Sequence, residues 1–404
     1  MKILCSFGRY AYGDAARGDS YEYANFLPAF EHMGHEVVLF DSFDRSRWAD
    51  FAELNRDFLA CVERERPDVI FCVLMGYELW RETLVLAKAA SGACLINWAT
   101  DDSWKYEEFS RHVAGAFDIY ATTYRSAMDK ALRDGYRHFS RTQWAAASSL
   151  LRAPRPAGEC RYAVSFIGAA YGNRRQWVAA LRQRGIEVRC FGHGWPGGVV
   201  CAEELPCIVN ESIITLNFGD SGLVLQGARL ARSRQIKARV FEVPAAGGCL
   251  LTESAQGLDE YFVCDEEIMT FDDIDDLAAK IRALLDAPQQ RDRMAWAGHE
   301  RVRRDHTYEV RLAHLMASSL SLMPSAPAMQ VDWPAFERLV QGHRLTSGLR
   351  CLRAVLSAPC RLVWGARRGS RAARRLLFEA SWRLAPRHTY SALGWPGRLY
   401  YRES

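Results

Sequence analysis

Residues 234–253 read RQIKARVFEVPAAGGCLLTE, and the charged groups in that stretch are of the kinds that hold a nucleoside diphosphate. A cation near the start of a helix reinforces the positive end of its dipole toward phosphate, and a carboxylate deeper in can accept both hydroxyls of a ribose. Arg239 fits the first role and Glu242 the second. Helical spacing sets Gln235, Arg239 and Glu242 on one face, where an Arg–Glu pair three apart is also an ordinary surface ion pair worth about a few tenths of a kcal/mol. Gly247 and Gly248 end the predicted helix, and Thr252 and Glu253 close the apolar run that follows.

Other candidates stand at the ends of apolar runs, where open α/β sheets bind their ligands. Gly168 follows VSFI, His193 lies in FGHGW after a strand, and Asn217 ends TLNF. GAAYGNRR at 168–175 lacks a full GxGxxG, and its Asn173, Arg174 and Arg175 suit either phosphate or a solvated helix start. In the N-terminal half, GRYAYGDAARGDSYEY at 8–23 has the Gly, Asp and Tyr content of a sugar site or of an exposed loop, with Tyr12, Gly13, Asp14 and Ser20 as candidates for an acceptor. NWATDDSW places Asp101 and Asp102 between Trp98 and Trp104. Indole rings stack on sugar faces, and the two carboxylates suit either proton transfer or the cap of the helix that follows.

The elements that must position these residues alternate between strand and helix. MKILCSF, HEVVLFD, DVIFCVL, ACLINWATDD and FDIYATT read as buried strands, with YEYANFLPAFEHMG, FAELNRDFLACVERE and RETLVLAKAA as helices between them. That is the pattern of βαβ units on a parallel sheet. SSLLRAPRPAGE interrupts it near 148–160, and it restarts with YAVSFIG, RRQWVAALRQRG, IEVRCFG, ESIITLNF, a helix over RQIKARVFEVPAAGG, the strand CLLTE and a helix over FDDIDDLAAKIRALLDAP. Residues 291–320 read as helical with a break near Asp305, and three prolines in SLMPSAPAMQVDWP mark a second linker. The expected divisions are a first Rossmann-like domain at 1–150, a second at 160–322, and a helical extension at 335–404.

The run from Gln235 to Arg311, with QIKARVFEVPAAGGCLLTE, GLDEYF, DEEIMTF, DDLAAKI and DHTYEVR in order, resembles the C-terminal half of the spore-maturation-protein-like (CgeB) glycosyltransferases, relatives of the GT-B enzymes. VSFIGAAYGNRRQWVAAL and CFGHGW are similar to the opening of the same domain. The resemblance implies a GT-B fold, two Rossmann-like domains with parallel sheets facing across a cleft. It implies transfer from a nucleotide-sugar donor, held by the second domain, to a glycan or glycolipid acceptor of the bacterial envelope, held by the first. In the wider GT-B group two glutamates eight positions apart flank the donor; Glu242 matches the second, which contacts the ribose, whereas the first position holds Arg234. Gly168, His193, Asn217, Lys237, Arg239, Gly247, Gly248 and Thr252 become candidate donor contacts, with Gly247 and Gly248 allowing close backbone approach. Asp101 or Asp102 is the candidate base for the acceptor hydroxyl if the transfer inverts, a retaining one needing none. Arg234 also motivates an alternative, a sugar- or nucleotide-binding module without turnover. A two-domain oxidoreductase is disfavoured by the missing glycine fingerprint.

No metal or cofactor is expected, the nucleotide sugar being the substrate. HExxH is absent, and the acidic DDIDD at 272–276 opens a helix, where Asp favours the dipole. Twelve cysteines are scattered without CxxC spacing, as reduced apolar fillers would be, and the N-terminus lacks the apolar core of an export signal. A cytoplasmic protein is expected. Residues 350–403 hold twelve arginines against Glu379 and Glu403, so this stretch is about ten charges positive while the chain as a whole is +4. Leu, Val, Trp and Phe interleave these arginines at helical spacing, which suits residues 346–404 to an anionic membrane surface at the inner face of the cell membrane. Partner or core helices are the other reading, and nucleic acid is disfavoured because no recognition motif accompanies the charge.

Overall fold

The computed structural model describes residues 1–201, 203–226, 229–320 and 330–403; most of the linker read at 321–334 lies outside them. The chain divides into two compact units, one of residues 1–143 with 312–404 and one of residues 144–311.

The first unit is built on six parallel strands, β1 (Lys2–Phe7), β2 (Glu36–Asp41), β3 (Val69–Cys72), β4 (Cys94–Ala99), β5 (Ile119–Thr122) and β6 (Phe139–Arg141). Their order is β2-β1-β3-β4-β5-β6. β3, β4 and β5 are buried along their whole length, which is why they read as continuous apolar runs and not as alternating ones. Local chemistry fixes the helix starts. The Ser20 hydroxyl accepts the Tyr23 amide to open Tyr21–His32, and the Asp50 carboxylate accepts the Ala52 and Glu53 amides to open Phe51–Glu65. Gly92, in the left-handed region at φ 67°, closes Arg81–Ser91.

The C-terminal segment belongs to this unit. Trp333–His343 lays Phe336 on Trp80, with ring centroids 6.1 Å apart, and Ser347–Leu384 brings Phe378 against Tyr77 at 5.8 Å. Arg375 reaches the buried Glu108 at 3.1 Å. The arginine-rich stretch is thus helical, as its spacing predicts, and one side of it completes the core of the first sheet.

The second unit has five parallel strands, β7 (Tyr162–Ile167), β8 (Arg189–Phe191), β9 (Ser212–Asn217), β12 (Leu250–Glu253) and β13 (Met269–Phe271), ordered β13-β12-β9-β7-β8. An antiparallel hairpin of β10 (Asp220–Gln226) and β11 (Arg229–Arg234) stands apart from that sheet. The hairpin corrects the reading of the stretch that follows it. The expected long helix is only Arg239–Ala245, so Gln235 and Lys237 lie in the approach to it and not on its face. The break expected near Asp305 is present, between Pro288–Asp305 and Tyr308–Leu320.

Candidate active site

In each sheet the chain leaves its first strand toward one edge and later crosses to the other, and the point where neighbouring connections diverge is where open α/β sheets bind ligands. In the second unit this point lies between β7 and β9. The strand ends there carry Gly168, Asn217 and Gly219, with Thr252 and Glu253 next along the edge.

Most polar groups on this edge are tied together. Asn217 donates to the Thr252 hydroxyl at 2.9 Å, and both side chains are buried, so they brace two strand ends. Glu253, also buried, accepts the Gly219 amide at 2.9 Å and pairs with Arg234 Nε at 3.0 Å. Arg234 in turn holds the Asp272 carboxylate at 2.9 Å and its carbonyl at 2.8 Å. Arg234, where the resemblance leads one to expect glutamate, therefore sits at the sheet edge with its charge balanced by two carboxylates. Asp272 is kept below the usual carboxylate range by hydrogen bonds, first from Ser254 and then from Arg234.

Two guanidinium groups differ. Arg174, at the first turn of Arg174–Gln183, is buried, bonded through Nη1 to the Ala169 carbonyl at 2.9 Å and through Nη2 to the Tyr171 hydroxyl at 3.1 Å. Its Nε has no acceptor. Arg239 lies with Nη1 2.9 Å from a Glu242 oxygen, yet that nitrogen is buried and forms no aligned hydrogen bond. The two arginines are close enough to repel. Burial lowers the Arg174 pKa most, and Arg239 adds to the effect. Asp220 and Glu253 act in the opposite direction. Buried donors of this kind cost free energy unless something accepts from them.

The other expected donor contacts are dispersed. Lys237 bonds Gln235 at 2.8 Å. The amide and carbonyl of Gly168 are used by Phe191 and the Trp195 indole, and a Cβ there would lie 3.0 Å from the Phe166 ring, so a side chain would require that ring to shift. The His193 side chain is exposed, and its carbonyl accepts the Ala170 amide at 2.8 Å. Gly247 and Gly248 follow the C-terminal end of Arg239–Ala245, away from the ligand edge of the sheet. Gly247 has φ 76°, and a Cβ would meet the Arg152 carbonyl at 2.7 Å; one on Gly248 would meet Val209 at 2.5 Å. The close approach expected of these glycines is made by the chain's own backbone and side chains.

In the first unit the divergence lies between β1 and β3. The loop after β1 is ordered by its own groups: Asp14 accepts the Ala16 amide at 3.1 Å and pairs with Arg17 at 3.4 Å, while a Cβ on Gly13 would strike the Phe43 carbonyl at 2.6 Å. Ser20 is buried as a helix cap, and Tyr12, at φ 58°, is 85% exposed. After β4, Asp101 is half exposed, 3.9 Å from Lys105. Asp102 is 2% exposed and accepts from Ser110; burial raises its pKa. Glu22, which the sequence reading missed, is half-buried at the start of Tyr21–His32 within electrostatic reach of Asp101, and burial raises its pKa too. Its only sequence signal is its place in the first turn after the β1 loop.

His306 lies in the second unit among the rings of Phe241, Tyr261 and Phe262, with centroids 5.4, 5.8 and 5.3 Å away. Nε2 donates to the Tyr261 carbonyl at 2.7 Å and Nδ1 accepts from Arg311 at 3.0 Å. Since Phe241 belongs to the helix that carries Arg239 and Glu242, this cluster positions that helix. Burial pushes the His306 pKa down to about 4.

Residues 174–317 match the family described as glycosyl transferase-like. No curated protein matches the sequence. Among solved structures, sucrose-phosphate synthase of Thermosynechococcus elongatus is similar at a TM-score of 0.55 and 12% identity, over 80% of this chain and all (100%) of that one. Anabaena HepE in complex with UDP and glucose gives 0.53 and 12%, over 80% and 99%. A DNA-modifying beta-glucosyltransferase studied with and without uridine diphosphoglucose gives 0.51 and 12%, over 80% and 100%. The chain has the GT-B glycosyltransferase fold, and its second unit carries the sequence match to a glycosyl transferase-like family.

Proposed function

We propose that the protein is a glycosyltransferase that takes a sugar from a nucleoside diphosphate donor. The observation that carries this reading is two guanidinium groups beside the ligand edge of the second sheet, the buried Arg174, whose Nε lacks an acceptor, and the half-buried Arg239, which is paired with Glu242. A diphosphate supplies acceptor oxygens and negative charge to both. Glu242, 2.9 Å from Arg239, is released toward the ribose hydroxyls as Arg239 turns to phosphate. Support comes also from the family match, which begins at Arg174, and from the UDP and uridine diphosphoglucose named for structures of the same fold.

In the transfer an acceptor hydroxyl oxygen bonds to the anomeric carbon, and the bond from that carbon to the β-phosphate oxygen breaks. The diphosphate leaves with the electron pair, stabilised by Arg174, Arg239 and Lys237. In an inverting transfer the hydroxyl proton passes to a carboxylate, which a retaining transfer does not need. Asp101 is the better placed of the two sequence candidates, because Asp102 is enclosed and bonded to Ser110. No metal takes part in this scheme. The acceptor is a glycan or glycolipid of the bacterial envelope, reached by peripheral attachment at the inner face of the membrane; the resemblance and the basic C-terminal helices support this.

The test is release of nucleoside diphosphate from a panel of nucleotide sugars, in EDTA, with envelope glycans and glycolipids as acceptors. One donor should be consumed, and Asp101→Asn should lower turnover by roughly a hundredfold or more. Binding of a donor without turnover of any would favour the non-catalytic module, for which the locked Arg234 is the motivating feature.

A further inference from the structure

Ser347–Leu384 comprises two helices. Gly365 has φ 76° and ψ 170°, which breaks the helical path after residue 364. The chain then folds back. A Cβ on Gly369 would lie 2.5 Å from Arg361 Cα, Arg361 Nε donates to the Ser370 hydroxyl at 3.0 Å, and Ala373 and Leu377 pack with Leu356 and Cys360. Residues 347–364 and 366–384 therefore form a hairpin. Its base is held in the first unit: Ser357 bonds the Tyr400 hydroxyl at 3.0 Å, Arg353 pairs with Glu403 at 2.7 Å, and Phe378 packs on Tyr77 and Tyr390.

The turn of this hairpin presents large apolar side chains to solvent. Leu362 is 89% exposed, Val363 69% and Trp364 53%, whereas Cys360, two residues earlier, is 5%. The apolar surface continues down the first helix through the exposed Leu352 and Val355, ten and seven residues before Leu362 and so on one helical face. Arg361, Arg368 and Arg371 are exposed around the turn. Single exposed apolar residues are unremarkable, but a contiguous group at the tip of a projecting element marks a contact surface.

Resting on the peripheral-membrane reading above, we propose that this turn is the membrane-inserting element: Leu362, Val363 and Trp364 enter the acyl boundary of an anionic bilayer while Arg361, Arg368 and Arg371 meet the headgroups. Charge selects this occupant. Residues 350–403 carry twelve arginines against two glutamates, so a second copy of the same surface would repel, and three adjacent apolar side chains do not suit a nucleic-acid backbone. Among the described residues no helix is long and apolar enough to cross a membrane, so insertion is confined to the interface.

Flotation of the full chain with phosphatidylcholine vesicles, with and without one-third phosphatidylglycerol, tests this. The protein should float with the anionic vesicles and stay behind with the neutral ones. Leu362→Asp with Trp364→Asp should reduce recovery at least tenfold at an unchanged melting temperature, these side chains being outside the core. Arg368→Gln and Arg371→Gln should each weaken binding about fivefold. If the unaltered chain stays in the soluble fraction, or binds single-stranded RNA in place of vesicles, the membrane reading and the tip both fall. If the chain floats and the double variant floats equally well, the tip alone is overturned and the attachment lies elsewhere.

Discussion

His306 shows how a side chain remote from any ligand sets the geometry of the site. Its neutral form, with hydrogen on Nε2 and a lone pair on Nδ1, satisfies both the Tyr261 carbonyl and Arg311; a second proton on Nδ1 would face the Arg311 guanidinium. Burial lowers the folded pKa from the ordinary 6.5 to about 4, so the folded state binds fewer protons than the unfolded chain between those values. Stability from this group is present above pH 6.5 and is lost as pH falls through 4, to an extent of about 3 kcal/mol. Urea unfolding of the second unit across pH 4–7 should show that loss, and His306→Gln should flatten it. The same residue scale bounds what was legible. The spacing of Arg239 and Glu242 allowed either an ion pair or two ligand contacts, and the ion pair is present at 2.9 Å. Glu22 gave little signal, because its proximity to Asp101 depends on two strand ends brought together by the sheet.

At the scale of elements, the alternation of strand and helix was readable because buried parallel strands are written as unbroken apolar runs. The misread element is the helix at 239–245. RQIKARVFEVPAAGG has helical composition throughout, yet its first residue, Arg234, ends the β10–β11 hairpin opposite Asp220, and the Gln235 amide donates to the Gly219 carbonyl at 2.9 Å, so the helix begins only at Arg239. Gly247 and Gly248 were legible as a helix end but not as packing positions, since the surfaces that crowd them come from Arg152 and Val209. Gly247→Ala should lower the melting temperature by several degrees, as φ 76° and the Arg152 carbonyl both oppose a Cβ. Nucleoside diphosphate affinity of the folded variant should stay within about twofold, which a glycine contacting the donor would not allow.

For the whole molecule, the two-sheet organisation followed from the repeated βα pattern and its interruption near 148–160. The return of residues 312–404 to the first unit did not, because it rests on contacts such as Phe336 on Trp80 and Phe378 on Tyr77 that join residues about 250 or more positions apart. The arginine-rich helices thus have one side in a protein core, as the core-helix reading expects, and another toward solvent. The central claim is that the ligand edge of the second sheet seats a nucleoside diphosphate. It is tested most directly by titration calorimetry of uridine, guanosine and thymidine diphosphates into the unaltered chain and into Glu242→Ala, with melting temperatures checked. One diphosphate should bind, and the variant should bind it about ten- to a hundredfold more weakly, the loss expected for hydrogen bonds from ribose hydroxyls to a carboxylate. Failure of all three to bind, or equal affinity in a folded Glu242→Ala chain, would contradict the account.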